Sequence, residues 1–275
     1  MPAVAPAPQG ETPPLKQSLG NDGVLRLVFD RPERRNPLSE AMLDALDAAL
    51  GRAAADDAVR VVVIAASGIG FSAGHDLAEM TAHRRDADGG KAYFAWLMQR
   101  CSGVMQAVTA CPKPVIAEVH GIATAAGCQL VASCDLAVAS DDARFATSGV
   151  NLGLFCSTPM VAVSRAVGRK AALGMLLSGE FIDAAEALRI GLVNRVVPGS
   201  ELKAATLELA RTLAAKPPAV LALGKRAFYE QAGLPLGEAY AHCSNVMVEN
   251  LMMPEAQEGI SAFLEKRPPD WPKRG

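Results

Sequence analysis

Phe71-Ser72-Ala73-Gly74-His75-Asp76-Leu77 is the most informative stretch of this chain of 275 residues. It follows an apolar run, residues 59–66, whose length and composition predict a buried strand. The small residues at its centre let a ligand approach the backbone closely. A loop of this kind can direct a peptide N–H toward a ligand oxygen.

A second loop rich in glycine and alanine, residues 120–129, follows another predicted strand at 115–119. Two peptide N–H groups, one from each strand-to-loop junction, are what an oxyanion hole requires. The pair of loops therefore predicts chemistry on a carbonyl group. This loop leads into a short apolar helix predicted at residues 125–133, at whose start unpaired N–H groups and the helix dipole favour an anion.

Composition limits the classes of function. Half of the residues are hydrophobic and a fifth are charged, so the chain can form a large core as one domain or two. The net charge of −2 gives no reason to expect a nucleic acid or an anionic membrane as a partner, and no apolar run reaches the roughly 20 residues of a membrane span. Residues 1–14 are rich in proline and alanine, which predicts a disordered tail without a secretory or transit signal.

The cysteines indicate neither disulfides nor a metal site. Six cysteines and four histidines show no spacing typical of metal ligands, and there is no HExxH motif. In a chain of this size such cysteines are typically reduced core residues. We therefore expect a cytoplasmic protein without a metal or another cofactor.

The pattern along the chain predicts a strand-and-helix core, residues 15–200, followed by a helical region, residues 201–275. Asn21-Asp22-Gly23 predicts a hairpin. Candidate caps of helices or turns are Ser39, Asp76, Asp135 and Asp183. Periodicity and turn signals predict strands at 15–19, 24–29, 59–66, 115–119 and 136–139, and helices at 41–55, 93–108, 125–133, 159–167, 170–177, 184–190, 201–215, 219–231, 236–252 and 254–266.

The order and spacing of several motifs resemble the crotonase (enoyl-CoA hydratase/isomerase) superfamily from about residue 24 to residue 266. These motifs are residues 30–38, 71–77, 113–128, 134–136, 165–169, 187–193 and 258–267. The resemblance implies an α/β fold, a crotonase-like spiral of ββα units with a helical C-terminal trimerisation region. It also implies an acyl-CoA thioester as ligand, with coenzyme A present as part of the substrate, and a homotrimer or a dimer of trimers.

By the same resemblance, the oxyanion donors are the backbone N–H groups of His75 and Ala126, which would stabilise a thioester enolate. A catalytic role for the imidazole of His75 is the less favoured alternative. Predicted substrate contacts are Ala73, Gly74, Leu77, Gly127 and Gly149. Candidates for contacts with the CoA portion are Arg34, Arg35 and Lys266, and a merely solvated face accounts equally well for the two arginines.

The two glutamates that position water in the hydratases are missing. Their places are taken by Gln129, which cannot exchange a proton, and by Gly149, which has no side chain. Standard enoyl-CoA hydration is therefore not expected. The motif 71–77 is similar to the corresponding loop of methylmalonyl-CoA decarboxylases, but Cys156 stands where those enzymes carry a tyrosine. Ser157 likewise takes the place of a catalytic aspartate found in some isomerases and dehalogenases.

Three side chains have two interpretations each. Gln129 could hold a water or the thioester, or it could be a core amide bonded to backbone. Cys156 is interpreted as a thiol that lines the acyl pocket rather than as a nucleophile, because no activating base is evident. Glu118, in an apolar strand, must either pair with a base such as His120 or face a subunit boundary.

Two hypotheses of different classes follow. In the first, the chain is an enzyme that stabilises a thioester enolate and catalyses a decarboxylation, an isomerisation or a weak hydration. In the second, it is a non-catalytic acyl-CoA-binding protein that keeps the pocket without the acid and the base.

Residues 124–130 and 145–159 are most similar to one mitochondrial branch of the superfamily, and this similarity brings no assigned reaction with it.

Overall fold

A computed structural model describes residues 13–271. Most of the predicted tail, residues 1–12, lies outside the described residues. The strands are β1 (Leu15–Leu19), β2 (Val24–Phe29), β3 (Val61–Ala66), β4 (Val115–Val119), β5 (Ile122–Thr124), β6 (Leu136–Ser140), β7 (Arg144–Ala146), β8 (Ile182–Asp183) and β9 (Arg195–Val197). The α-helices are α1 (Glu40–Ala55), α2 (Leu77–His83), α3 (Lys91–Ala110), α4 (Ala126–Ser133), α5 (Ser157–Ala166), α6 (Arg169–Ser178), α7 (Ala184–Ile190), α8 (Leu202–Ala214), α9 (Pro218–Gln231), α10 (Leu236–Leu251) and α11 (Pro254–Leu264).

The main sheet has the strand order β1-β2-β3-β4-β6-β9. β1 and β2 form the predicted antiparallel hairpin, and the other neighbouring strands are parallel. A smaller sheet has the order β5-β7-β8. Because β3 and β4 are parallel neighbours, their carboxyl ends meet at one edge of the main sheet, where ligands of parallel sheets commonly bind.

The main sheet is covered by helices on both faces, which explains the continuous apolar sequences of its central strands. Alternate residues of β3 face opposite sides. Val62 and Ile64 belong to a large hydrophobic cluster formed with α1, α3 and α4. Val61 and Val63 belong to a smaller cluster with Leu202 of α8. Within residues 13–271, no helix has the length and apolar composition needed to cross a bilayer.

The predicted helices and strands are present, and their ends differ from the prediction by at most two residues. The N-caps Ser39 and Asp183 are confirmed, since their side chains accept hydrogen bonds from the N–H groups of Met42 and Glu186. The sequence did not reveal β5, β7, β8 or β9, because strands of two or three residues show no readable alternation. It also missed α2, a short helix without a buried face.

A buried ion pair links β2 to β4 across the intervening strand β3. The guanidinium of Arg26 donates two hydrogen bonds of 2.7 Å to the two carboxylate oxygens of Glu118. Of the two alternatives for Glu118, pairing with a base is therefore confirmed. The base is Arg26 rather than His120, whose Nε2 lies 2.9 Å from the carbonyl oxygen of Gly68. The pairing satisfies a carboxylate that is otherwise costly in an apolar strand.

The prediction that Asp135 caps a turn is wrong. Its side chain connects the core to α9 instead. Its Oδ2 lies 2.7 Å from both the N–H of Val115 and the ammonium of Lys225, and its Oδ1 accepts a hydrogen bond of 2.9 Å from the hydroxyl of Tyr229. Burial raises the pKa of Asp135, while the charge and hydrogen bond of Lys225 act in the opposite direction. No local pattern predicts the contact with α9, because Lys225 and Tyr229 are 90 and 94 residues away from Asp135.

Candidate functional site

The loop at residues 71–77 is fixed by the segment that precedes α1. The N–H of Leu38 donates to the carbonyl oxygen of Gly74 at 2.8 Å, and the N–H of Ala73 donates to the carbonyl oxygen of Arg35 at 3.0 Å. Both are main-chain contacts, so they fix the path of the loop whatever side chains it carries. The backbone of the loop is therefore held before any ligand arrives.

Asn36 secures the same loop with its side chain. It is fully buried, and its amide donates hydrogen bonds to the carbonyl oxygens of Ser67 and Gly70 at 2.8 and 2.9 Å. The hydroxyl of Ser72 in turn donates to the carbonyl oxygen of Asn36 at 2.8 Å. Sequence reasoning assigned Asn36 no role of its own. The available signal was its residue type, since asparagine tolerates the left-handed backbone, φ 51°, found here.

The second loop pairs directly with the first. The N–H of Ser72 donates a hydrogen bond to the carbonyl oxygen of Ile122, and the carbonyl oxygen of Ser72 accepts one from the N–H of Thr124. Both bonds are 3.0 Å long. Gly127 then lets α4 approach closely, because a Cβ atom on it would lie 2.5 Å from the carbonyl oxygen of Ser72. The absence of a side chain at Gly127 thus brings the start of α4 against the first loop.

Ala126 is the first residue of α4, so its N–H has no partner within the helix. Ala125 precedes it with φ 51° and ψ −118°, a backbone conformation that is uncommon for a residue with a Cβ atom. The N–H of Ala125 is engaged with the carbonyl oxygen of Ala146 at 3.0 Å. This turn sets the direction of the N–H of Ala126, and such backbone strain is typical of functional sites.

The N–H groups of His75 and Ala126 lie at the junction of the two loops. A Cβ atom on Gly74, where φ is 88°, would lie 3.1 Å from the nitrogen of Ala126. Neither N–H donates a hydrogen bond to any of residues 13–271. His75 and Ala126 also line the same cavity. Two residues with unpaired peptide N–H groups therefore line one cavity, and an anion site requires such donors.

The cavity has a volume of about 480 Å³, within the range of small-molecule sites. Its wall is mainly apolar and includes Pro37, Met80, Met98, Leu152, Leu154 and Phe155. Leu152 and Phe155 are 64% and 45% exposed, so part of this apolar wall is open to solvent. The sequence did not single out the two methionines, because their positions on α2 and α3 meet in the fold rather than along the chain.

The charged groups of the cavity neutralise one another. Nη2 of Arg34 lies 2.5 Å from Oδ2 of Asp76. Oδ1 of Asp76 accepts hydrogen bonds from the N–H groups of Ala78 and Glu79 at the start of α2, which confirms Asp76 as a cap. Oδ2 accepts no hydrogen bond from the described residues, and its contact is the ion pair with Arg34.

Neither hydratase glutamate position supplies an acid or a base. Gly149 lines the cavity, and a Cβ atom on it would meet the carbonyl oxygen of Leu154 and the sulfur of Cys156. Gln129 is 3% exposed and lines a different cavity of about 770 Å³ between α3, α4, α5 and α9. Its Oε1 has no hydrogen-bond partner among the described residues. This placement does not favour contact between Gln129 and a thioester in the first cavity.

Cys156 lines the first cavity and is 7% exposed. Burial raises the pKa of its thiol, against the opposing effect of a hydrogen bond from the N–H of Gly149. A protonated thiol agrees better with a lining residue than with a nucleophile. All six cysteines are unpaired, and five of them are buried.

The other predicted contacts fall into three groups. Three residues are part of the cavity wall: Arg34, Ala73 and Leu77. Two lie behind it and hold the loops together: Gly74 and Gly127. Two are outside it, and their contacts with CoA stay predictions: Arg35 and Lys266.

The sequence that forms these loops matches a known protein family over most of its length. A model of the family described as enoyl-CoA hydratase/isomerase matches residues 20–274. The chain belongs to the enoyl-CoA hydratase/isomerase family. The resemblance drawn from the motifs is thereby confirmed.

Relatives within this family match over nearly the whole chain. The mouse protein named enoyl-CoA hydratase domain-containing protein 3, mitochondrial, is 48% identical over 98% of this chain and 88% of its own length. The solved structure of human enoyl Coenzyme A hydratase domain-containing protein 3 has a TM-score of 0.89 and 50% identity, covering 94% of this chain and all of that one. A structure titled enoyl-CoA hydratase from Mycobacterium smegmatis has a TM-score of 0.90 and 53% identity, covering 94% and 99%. These matches confirm the crotonase-like α/β fold and the branch to which residues 124–130 and 145–159 are similar.

The expectation of a cytoplasmic location is wrong. Four relatives that are 47–50% identical over 91–98% of the chain carry the word mitochondrial in their names. The expectation rested on the cysteines, and unpaired thiols report reducing conditions rather than one compartment. The trimerisation region in the helical C-terminal part, residues 201–275, stays a prediction.

Proposed function

We propose that the chain acts on acyl-CoA thioesters and stabilises the thioester enolate between the N–H groups of His75 and Ala126. The observation that carries this proposal is the pair of unpaired peptide donors in one mainly apolar cavity. Negative charge grows on the thioester oxygen as the enolate forms, so the two hydrogen bonds strengthen more for the enolate than for the ground state. The apolar wall increases this effect because it lowers the local dielectric constant.

The reaction we propose is enolate formation followed by protonation, not hydration. Addition of water needs an acid and a base beside the double bond, and Gly149 and Gln129 supply neither there. An isomerisation or a decarboxylation needs the enolate but not the two glutamates. The Mycobacterium relative is named a hydratase, and hydration is therefore the outcome that the test must exclude.

Exchange of the α-hydrogens of butyryl-CoA in deuterated water, followed by mass spectrometry, tests the proposal. We expect deuterium uptake with the natural chain and a loss of uptake in Gly74→Ala, whose Cβ atom would lie 3.1 Å from the nitrogen of Ala126. Ala126→Pro removes the N–H donor itself at a first helical position, where proline is tolerated. Circular dichroism checks that both variants fold.

A panel of crotonyl-, malonyl- and methylmalonyl-CoA separates the possible reactions. Hydration of crotonyl-CoA that survives Gln129→Ala and Cys156→Ala would contradict the proposal. Binding of CoA thioesters without exchange or turnover would support the non-catalytic acyl-CoA-binding alternative. Absence of thermal stabilisation by every thioester would exclude both.

We also propose that the chain self-associates through α10 and α11, as the predicted homotrimer or dimer of trimers. Both helices carry large apolar side chains that are more than half exposed: Leu236, Tyr240, Met247, Val248, Phe263 and Leu264. Apolar surface of this extent is typical of a protein interface. Light scattering after size-exclusion chromatography measures the assembly, and Phe263→Glu is expected to reduce it.

A further inference from the structure

The cavity of about 770 Å³ between α3, α4, α5 and α9 adjoins the first cavity, and Thr158 of α5 lines both. On α3, Met98 lines the first cavity, and Ser102, one turn further along, lines the second. On α4, Ala126 and Gln129 are related in the same way. One turn of an α-helix rises about 5.4 Å. The two cavities are therefore neighbours along three helices, separated by about one turn of each.

One face of α5 leads from the first cavity into the second. Four of its residues lie on this face and line the second cavity, because they are spaced as i, i+3, i+4 and i+7: Thr158, Val161, Ala162 and Arg165. Nη1 of Arg165 donates a hydrogen bond of 2.9 Å to the carbonyl oxygen of Val161, so its side chain folds back along this face toward Thr158. The guanidinium therefore lies about one helical turn beyond the residue that the two cavities share.

Arg165 carries a charge that the second cavity does not balance. Glu230 is the other charged residue among the described residues of the wall, and its Oε2 lies 3.2 Å from Nε2 of His242 on α10. Arg165 forms no ion pair with any of residues 13–271, and its contact is the single hydrogen bond to Val161. A guanidinium has five N–H donors, and its planar fork matches the two oxygens of a carboxylate. The second cavity therefore favours a ligand group with a negative charge.

On the basis of the proposed function, we infer that the second cavity holds the distal part of the acyl chain and that Arg165 binds a carboxylate at the end of that chain. The substrate class is then an acyl-CoA thioester with an ω-carboxylate. Its thioester oxygen lies at His75 and Ala126 in the first cavity, and its chain passes Thr158 into the second. One molecule is thus recognised at both of its polar ends.

A plain alkyl chain fits the wall of the second cavity less well. Besides Arg165, this wall includes the polar side chains of Ser102, Gln129 and Thr158. An alkyl chain would cover these groups without offering them a hydrogen bond, which costs free energy. The first cavity has a mainly apolar wall by contrast, and it suits the part of the chain next to the thioester.

Two thioesters of equal acyl length test the inference. Suberyl-CoA and octanoyl-CoA have the same number of acyl carbons, and the first carries a terminal carboxylate. Exchange of their α-hydrogens in deuterated water, measured by mass spectrometry, gives kcat/KM for each. We expect the natural chain to favour suberyl-CoA by about 10-fold or more. Higher ionic strength should reduce this preference, because Arg165 is exposed.

Variants of Arg165 assign the preference to its side chain. Arg165→Gln should bring the ratio of the two kcat/KM values close to one, and Arg165→Lys, which keeps the charge without the fork, should retain part of it. Arg169→Gln, at the start of α6 and outside the second cavity, is the matched control and should keep the full ratio. Circular dichroism checks that each variant folds.

A separate variant tests the path of the chain. Ala162→Phe places a large side chain in the wall of the second cavity. It should lower the exchange of suberyl-CoA and octanoyl-CoA relative to that of butyryl-CoA, because the short chain ends in the first cavity. Calorimetry with suberyl-CoA measures binding to the natural chain and to Arg165→Gln without any need for turnover.

The outcomes distinguish this inference from the proposed function. Exchange of butyryl-CoA without a preference for suberyl-CoA would overturn the inference and leave the enolate chemistry standing. A preference that persists in Arg165→Gln would likewise contradict the role of Arg165. Binding of suberyl-CoA that weakens in Arg165→Gln, without exchange of any thioester, would support the distal site and overturn the enolate chemistry.

Discussion

The sulfur of Cys156 lies 2.8 Å from the point at which a Cβ atom on Gly149 would stand. The carbonyl oxygen of Leu154 lies nearer still to that point. The room that a hydratase glutamate would need at position 149 is therefore filled by the chain's own atoms. This chain therefore lacks both a carboxylate at position 149 and the space that would hold one.

Restoring this glutamate is not expected to restore hydration. Gly149→Glu should destabilise the fold by roughly 1–3 kcal/mol through overpacking and should not hydrate crotonyl-CoA. Adding Cys156→Ala should not rescue it, since the carbonyl oxygen of Leu154 belongs to the main chain. Urea denaturation and a hydration assay measure both effects. Gly174→Glu, on α6 with nothing within 4 Å of the new Cβ, is the control, and hydration by either 149 variant would contradict this prediction.

Gly127 is expected to tolerate no side chain. In Gly127→Ala the new methyl would lie 2.5 Å from the carbonyl oxygen of Ser72, so the two loops must separate. We expect a stability loss of about 1–3 kcal/mol and loss of acyl-CoA binding, measured by thermal shift and calorimetry. The matched change Gly103→Ala, in α3 with no atom near its Cβ, should stabilise by about 0.5–1 kcal/mol. Equal behaviour of the two variants would disprove the close approach.

Removal of Lys225 should destabilise the chain in a pH-dependent way. Lys225→Met leaves the buried carboxylate of Asp135 without its charged partner, at a cost of about 3–5 kcal/mol near neutral pH. The pKa of Asp135 is already raised by burial, and loss of the ammonium should raise it further. The folded state then binds a proton more readily than the unfolded state, so the penalty should shrink as the pH falls toward the unfolded pKa of about 3.9. Urea titrations at several pH values measure it, and a penalty that grows in acid would refute this account.

The pair formed by Arg26 and Glu118 should behave as a unit. Glu118→Met leaves a buried guanidinium unpaired and should cost about 3–5 kcal/mol, whereas the double variant with Arg26→Met should cost far less. The side chains are 15% and 9% exposed, so solvent cannot replace the missing partner. A double-mutant cycle measures the coupling, and additive effects of the two changes would show that the pair is not coupled.

The sequence predicted the long elements well because their burial follows one period over many residues. The helices at 41–55 and 93–108 are of this kind, and the strand at 115–119 is marked instead by its continuous apolar sequence, since all five residues are buried. The strands β5 and β7 pair with each other over three residues each, and their pairing depends on tertiary contacts that no local pattern records. Strands as short as β5 and β7 therefore could not be predicted from the sequence.

At the site, the sequence indicated which loops line the cavity but not the side-chain directions. Small residues indicated the two loops, since close backbone approach requires small side chains, and the resemblance to the crotonase superfamily implied His75 and Ala126 within them. The cavity that Gln129 lines depends on how α3, α4, α5 and α9 pack, and the partner of Glu118 lies 92 residues away. Neither can be inferred from neighbouring residues in the chain.

The two unpaired donors have an evolutionary consequence because they are atoms of the main chain. A substitution at position 75 or 126 changes the side chain but, unless proline is introduced, keeps the N–H. Drift in side chains can therefore alter which reaction follows while charge stabilisation is inherited intact. A chain that lacks the hydratase glutamates therefore keeps both N–H donors, and selection can supply a different proton acceptor beside them.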